Sequence, residues 1–213
     1  MRKLILKMSV TIDGFVGGPN GESDWIFRTE DPEADKWTMK ILRQAGAHMM
    51  GSKTFRDMKS YWPKSKEPFA AVMNDIPKIV FSKKGISKKD KKVSQSVKDA
   101  RRYNNVGWKK VSPDSNWDDS LVLTGDLATE IRKLKKQSGK IMVAHGGASF
   151  AQSLIATGLI DEFDLLVHPV ALGEGLPIFS KLPKELRLQL VMSKKYKSGV
   201  VAQVYKPIKG YKV

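Results

Sequence analysis

The run Lys140-Ile-Met-Val-Ala-His-Gly-Gly-Ala-Ser149 constrains this chain more than any other stretch. A β-rich apolar segment delivers two adjacent glycines, and small and hydroxyl residues then open an amphipathic segment marked by Phe150, Leu154 and Ile155. That order reads as strand, tight turn and helix N-terminus. Such a turn leaves unpaired backbone N–H groups above the strand end, with the positive end of a helix dipole behind them. Glycines there permit close approach of another molecule and conformations closed to other residues. A pyrophosphate fits this description, so a nucleotide cofactor is one reading and a plain strand-to-helix turn is the other.

The rest of the chain alternates in the same way. Residues 2–10 are predicted as a buried strand ended by Asp13-Gly14, with a polar, glycine-rich loop over 17–23. Trp37, Ile41 and Leu42 recur at helical spacing between Pro32 and about Ala45, with Asp31 as cap and Pro32 at the first helical position. Ala47-His-Met-Met50 reads as a short strand, and Gly51-Ser-Lys-Thr54 opens a helix through Met58. Ile79-Val-Phe81 is a further strand, Trp108 to Val111 a short one, and Ser120 to Thr124 either strand or loop. Asp126 caps a helix whose apolar face is Leu127, Ile131 and Leu134 and which Gly139 stops. A helix over 148–157 ends at Gly158, and Phe163 to His168 is a strand. Leu186 to Lys195 and Val200 to Tyr205 flank Ser198-Gly199, the signal of a C-terminal antiparallel hairpin. The prediction is an α/β fold with a mixed, mostly parallel sheet and helices on both faces. At 213 residues and 41% hydrophobic content, the chain suits a single domain over 1–213.

Composition narrows the function classes. The formal net charge is +16, much of it between Ser82 and Lys110, where Lys83, Lys84, Lys88, Lys89, Lys91, Lys92, Lys98, Arg101 and Arg102 crowd together. Arg132, Lys133, Lys135 and Lys136 add a second cluster. One reading is a nucleic-acid surface. The runs lack interleaved aromatics, however, and no helix-turn-helix or RNA-binding signature is present. A solvated basic surface that attracts anionic cofactors is therefore preferred, and no nucleic-acid partner is expected. Zero cysteines exclude disulfides, thiol nucleophiles and Cys-type zinc sites. No apolar run approaches the roughly 20 residues of a membrane span. The N-terminal apolar stretch carries a charge at Lys7 and lacks a small-residue cleavage site, so it reads as a strand and not as a signal peptide. A cytoplasmic protein is expected. His48, His145 and His168 are too scattered for a recognisable metal motif, and core or strand-end packing is expected for them. His145 stands apart because it adjoins the glycine pair.

Gly51-Ser-Lys-Thr54 is the second glycine-marked junction, with two hydroxyls, a lysine and a helix start available to a phosphate. It falls short of a P-loop, because the lysine is one position late and a strand-like Ala-His-Met-Met run precedes it. No Gly-x-Gly-x-x-Gly is present either, which argues against an ordinary Rossmann domain. Ser82-Lys83-Lys84, following a strand, is a third anion-ready position, although a solvated turn explains it equally well. A pyrophosphate and a ribose 2′-phosphate together need about that many, which favours NADPH over NADH.

These pieces, in this order, resemble the dihydrofolate reductase superfamily, and within it the branch holding the reductase domain of riboflavin biosynthesis. The resemblance rests on Met8-Ser-Val-Thr-Ile-Asp-Gly14, Gly21-Glu-Ser-Asp-Trp25, Met50-Gly-Ser-Lys-Thr-Phe55, His145-Gly-Gly-Ala-Ser149, Leu159-Ile-Asp-Glu162 and Pro169-Val-Ala-Leu-Gly-Glu-Gly-Leu-Pro-Ile-Phe179. It implies a three-layer α/β/α fold and an NADPH cleft across the carboxyl ends of the central strands. Gly51, Ser52, Lys53 and Thr54, with Ser82 and Lys83, and with His145, Gly146, Gly147, Ala148 and Ser149, are then the expected cofactor residues. The loop from Asp13-Gly14 to about Trp25 resembles the flap that covers nicotinamide and substrate. In the folate enzymes a carboxylate on the first helix binds the pterin; Asp35 lies at a similar distance before Gly51, and a plain first-turn helix acid is its other reading. The resemblance also implies a homodimer, for which the C-terminal hairpin offers an apolar edge through Leu188, Leu190 and Val201. The stretch 83–110 reads as a basic insertion. No deaminase domain with its zinc motif accompanies the match.

The expected activity is hydride transfer from NADPH to a C=N or C=O bond of a pteridine- or pyrimidine-like heterocycle, with no metal. Asp13 or Asp35 is the expected catalytic polar group, acting directly or through water, and Asp13, Trp25 and Asp35 are the expected substrate contacts. Trp25, Trp37 and Trp62 suit either a flat aromatic pocket or core packing. A side chain at Gly147 is expected to meet the pyrophosphate and to demand a backbone conformation unfavourable to L-residues. The alternative is a non-catalytic or nucleic-acid-associated protein that retains the fold.

Overall fold

The central strand, β1 (Leu4–Thr11), explains much of the architecture. In a strand, side chains alternate between faces. Leu4, Leu6, Met8 and Val10 therefore enter one apolar layer, while Ile5, Lys7 and Ser9 face the other way. Buried on both faces, such a strand belongs inside a parallel sheet. The computed structural model bears this out, and it describes residues 1–86, 94–103, 117–180 and 182–208.

After β1, the chain runs through α1 (Asp24–Arg28), α2 (Pro32–Arg43), β2 (Ala45–Gly51), α3 (Ser52–Tyr61), α4 (Ala70–Asp75) and β3 (Lys78–Phe81). It continues with α5 (Gln95–Tyr103), β4 (Leu121–Leu123), α6 (Leu127–Lys136), β5 (Ile141–Ala144), α7 (Ala148–Ala156), β6 (Glu162–His168), β7 (Leu188–Lys195) and β8 (Val201–Pro207). The strands form one sheet in the order β4-β3-β2-β5-β1-β6-β8-β7. The six strands from β4 to β6 are parallel, and β8 and β7 close the edge antiparallel. The α/β class, the mostly parallel mixed sheet and the C-terminal hairpin are as the sequence predicts.

Two apolar layers sandwich the sheet. On one face α6 and α7 contribute Ile131, Leu134, Phe150, Ala151, Leu154 and Ile155 against Leu4, Leu6, Met8 and Val10. On the other, Leu42 of α2 and Met73 of α4 pack on Ala45 and Val143, and Phe55 of α3 packs with Met50, Val80 and Trp117. Adjacent strands β2 and β5 thus send their helices to opposite faces. A crevice opens at their carboxyl ends, the usual ligand position in an open α/β sheet.

Several elements differ from the sequence reading. Ser120 to Thr124 resolves as the strand β4, and α1 and α4 are helices too short for their periodicity to show. Part of the lysine-rich stretch read as a surface excursion is the amphipathic helix α5, with Val97 and Asp99 buried. Its Asp99 Oδ2 accepts from Ser23 N at 2.8 Å, and its Tyr103 ring stacks on Phe27 at 5.6 Å, so α5 braces α1. The predicted strand at Trp108 to Val111 and the lysines 88, 89, 91 and 92 lie outside the described residues.

Candidate active site

A continuous cleft of about 2270 Å³ crosses the carboxyl ends of the central strands. A drug-sized ligand occupies roughly 300–1,000 Å³, so this cleft has room for a dinucleotide and a second small molecule.

Two glycine-marked helix starts and several basic side chains line part of the cleft. Gly51, Ser52, Lys53 and Thr54 line it, as do Gly147, Ala148 and Ser149, with Arg56, Ser82, Lys83 and Lys84 close by. The side chains of Asp31 and Asp126 cap α2 and α6 in the ordinary way. All four of these helix starts line the cleft, and two of them, α3 after Gly51 and α7 after Gly147, have no side-chain cap hydrogen bond. Their first-turn N–H groups and dipoles thus face the same space.

The glycines at these starts have separate causes. A Cβ on Gly51 would stand 3.1 Å from Phe150 Cβ, so glycine lets α7 approach β2. Gly146 has φ +80, and a Cβ there would meet Met8 Cε at 2.7 Å. The Gly146–Gly147 peptide is cis. Contrary to the sequence expectation, Gly147 has φ −62, so positive φ belongs to its neighbour. A Cβ on Gly147 would meet Thr54 Oγ1 at 3.0 Å. Gly147 N donates to that same hydroxyl at 2.5 Å, so Thr54 ties the two helix starts together and takes up one N–H that an anion would otherwise use. Ser82 Oγ donates to Gly85 O at 2.6 Å and shapes the 82–85 turn.

The opposite end is polar and half-buried. Asp35 projects from the first turn of α2 and lines the cleft together with Lys7, Glu30, Glu67, His145 and His168. Burial pushes the Lys7 ammonium down to about 8, with Asp35 and Asp164 pulling the other way. Burial raises the Asp35 carboxyl, opposed by Lys7. Asp164, the register partner of Lys7 across β1 and β6, is pushed up to about 7 by its burial, and its Oδ1 has no hydrogen-bond partner. Glu67 accepts from the Tyr61 hydroxyl.

Three expected site residues, Gly146, Asp13 and Trp25, are not in the cleft wall. Asp13 accepts from Leu172 N at 2.9 Å, Gly173 N at 2.8 Å and the Thr11 hydroxyl at 2.5 Å. Those hydrogen bonds hold its carboxyl below the usual range, in a clamp on the 169–179 segment. Trp25 is buried, its ring edge-on to His168 at 5.1 Å. Asp13 and Trp25 anchor the ends of the flap-like loop, while Val16, Gly17, Gly21 and Ser23 between them line the cleft. Trp62 also lines it; Trp37 packs beside the cluster of Ala34, Tyr196 and Ala202.

The sequence reading missed Lys7, although the signal was there: one lysine inside an otherwise apolar strand. It also separated two histidines that the fold joins. His145 Nε2 lies 2.8 Å from His48 Nδ1, because β2 and β5 are neighbours. No described helix is long and apolar enough to cross a membrane.

The comparisons with known proteins agree with this fold. The RibD C-terminal domain model matches residues 2–202. The uncharacterized protein YyaP of Bacillus subtilis (strain 168) is 34% identical over 204 residues, 96% of this chain and 94% of its own length. The crystal structure of a pyrimidine reductase-like protein from Corynebacterium diphtheriae superposes with a TM-score of 0.62 at 17% identity, covering 98% of this chain and 93% of that one. A diaminohydroxyphosphoribosylaminopyrimidine deaminase/5-amino-6-(5-phosphoribosylamino)uracil reductase from Thermotoga maritima does so with a TM-score of 0.65 at 15% identity, covering 97% of this chain and 57% of that one. With its sheet order, its cleft and a family match over nearly its whole length, the chain belongs to the RibD C-terminal domain family, on a dihydrofolate reductase-like fold.

Proposed function

We propose that this chain works as one domain, an NADPH-dependent reductase of a pyrimidine- or pteridine-like heterocycle. The observation that carries the reading is one cleft with two unlike ends. Two uncapped helix starts with Lys53, Arg56, Lys83 and Lys84 line the same cleft as Lys7, Asp35 and His145. The basic end suits a pyrophosphate and a 2′-phosphate. The polar end suits a flat ring that carries hydrogen-bond donors and acceptors.

NADPH, when bound, supplies the hydride. The residues of this chain supply position, exclusion of water and the proton. Lys7, poised near neutrality, is the group that holds the proton taken up by the reduced nitrogen or oxygen. Asp35 keeps that ammonium charged and accepts an N–H of the ring. The loop between the Asp13 clamp and Trp25 closes over the reacting pair. We further propose a cytoplasmic homodimer that uses the exposed β7 edge at Leu190 and Val191.

Oxidation of NADPH, followed by its absorbance, tests the activity with dihydrofolate and 5-amino-6-(5-phosphoribosylamino)uracil offered in parallel. The reading expects turnover of a heterocycle of this class. Tight NADPH binding with no turnover of either compound would direct the search to other heterocycles, whereas no binding of NADPH would end it.

A further inference from the structure

His48 is fully buried, with Nε2 3.2 Å from the carbonyl oxygen of Val72. A carbonyl only accepts, so that ring nitrogen carries a proton. Burial holds the His48 imidazole down to about 4, with Lys78 opposing a second charge nearby, so near neutral pH the ring has one proton. Its Nδ1 is therefore a bare lone pair. The partner at 2.8 Å, His145 Nε2, must then donate. His145 is likewise held well below its usual range by burial, with His48, Lys7 and Lys78 all opposing a positive charge. Its single proton is spent on His48, which leaves Nδ1 bare as well.

That Nδ1 takes no hydrogen bond from a described residue, and it is not among the polar atoms sealed unpartnered in the core. His145 is half-buried and lines the cleft, on the sheet face that also presents Lys7.

We propose that His48 fixes His145 in one tautomer, so that this point of the cleft is an acceptor only and selects a ligand that donates an N–H there. His48 is a positioning residue and His145 the contact. A carbonyl or a bare ring nitrogen placed opposite His145 would meet lone pair against lone pair and be rejected. Together with the Lys7 ammonium, a donor, the polar end then reads a ring bearing both an N–H and an acceptor atom. The identity of that ring rests on the reductase reading; the tautomer does not.

Long-range proton–nitrogen correlation spectra of protein labelled with nitrogen-15 histidine test this without a ligand. Near neutral pH both rings are expected to carry their proton on Nε2. Adding 5,6-diaminouracil is expected to move the His145 Nδ1 resonance into the hydrogen-bonded range while its proton stays on Nε2. His48→Leu is expected to give His145 mixed tautomers and to weaken 5,6-diaminouracil roughly fivefold, the size of one hydrogen bond. NADPH affinity is expected to fall by less than that of 5,6-diaminouracil, because the helix starts at Gly51 and Gly147 are left in place. His48→Asn, which returns an acceptor oxygen opposite His145, is expected to restore most of the loss. A proton on His145 Nδ1 in the unaltered protein would overturn the proposal, and that spectrum needs no variant to fold. An Nδ1 resonance unmoved by bound 5,6-diaminouracil, or no binding of it by protein that binds NADPH, would overturn the ligand assignment. Failure to bind NADPH would count against the reductase reading, and the tautomer spectrum would still decide the His48 role.

Discussion

On the proposed function, Lys7 is the residue on which the chemistry of the polar end turns, and Asp164 is its register partner across β1 and β6. If Lys7 is the proton source, activity requires its ammonium and should fall as pH rises through about 8. Lys7→Met is expected to lower kcat by about 10²- to 10⁴-fold with a smaller effect on NADPH affinity, read by steady-state kinetics alongside a cofactor titration. Asp164 carries a stability consequence. Its folded-state value of about 7 lies above that of an unfolded aspartate. Between roughly pH 4 and pH 7 the folded state therefore keeps a proton that the unfolded chain has released, so stability falls as pH rises across that window and stays low above it. Asp164→Asn is expected to remove this dependence. Urea unfolding at about pH 5 and about pH 8 should show the variant gaining on the order of 2 kcal/mol on the native protein between the two. The lysine inside the strand was visible in the sequence, but its pairing with Asp164 was not. A lysine within Leu-Ile-Leu-Lys-Met-Ser argues against a leader peptide, but only the pairing of β1 with β6 brings it opposite Asp164. Asp13 shows the converse: its place in a recognisable motif reads as catalytic, yet its oxygens are committed to Thr11, Leu172 and Gly173.

At the scale of elements, helix starts separate structure from function. Asp31-Pro32 and Asp126 are visible in sequence as caps and act as caps. Gly51 and Gly147 are visible as breaks, and the helices after them start bare, facing the cleft. Substitution should therefore have opposite effects at the two kinds of start. Asp126→Ala is expected to cost about 1 kcal/mol of stability without weakening NADPH binding, since it removes a carboxylate from the cleft wall near Lys83. Ser52→Asp places a carboxylate at the bare start of α3, where it complements the dipole and raises stability by a few tenths of a kcal/mol. It also repels phosphate and should weaken NADPH binding roughly tenfold or more, about 1.4 kcal/mol. Thermal melts and a cofactor titration check both arms. The strands and long helices were legible because their apolar periodicity is strong. Helix α5 was not, because its signal lies inside a lysine-rich run; its burial depends on Asp99 meeting Ser23 and on Tyr103 meeting Phe27, contacts that exist only after folding.

For the whole molecule, the net charge of +16 and the unlike ends of the cleft support one account. On the proposed function, a basic surface raises the local concentration of a polyanionic cofactor, whose phosphates the bare helix starts would bind. The lysines at 88, 89, 91 and 92 lie outside the described residues, whereas Lys53, Arg56, Lys83 and Lys84 line the cleft itself. The glycine-marked junctions were legible because each is a local signal, and the cleft was expected from the family resemblance that they helped to carry. The two-ended polarity was not foretold, because it comes from pairing β1 with β5 and β6 and from laying α2 over that face. The most direct test is a calorimetric titration of the whole protein with NADPH and, separately, NADH. The account predicts one NADPH site per chain, with NADPH bound roughly tenfold or more tighter than NADH, since the 2′-phosphate adds charge-assisted contacts. Binding of neither at about millimolar concentration would contradict it.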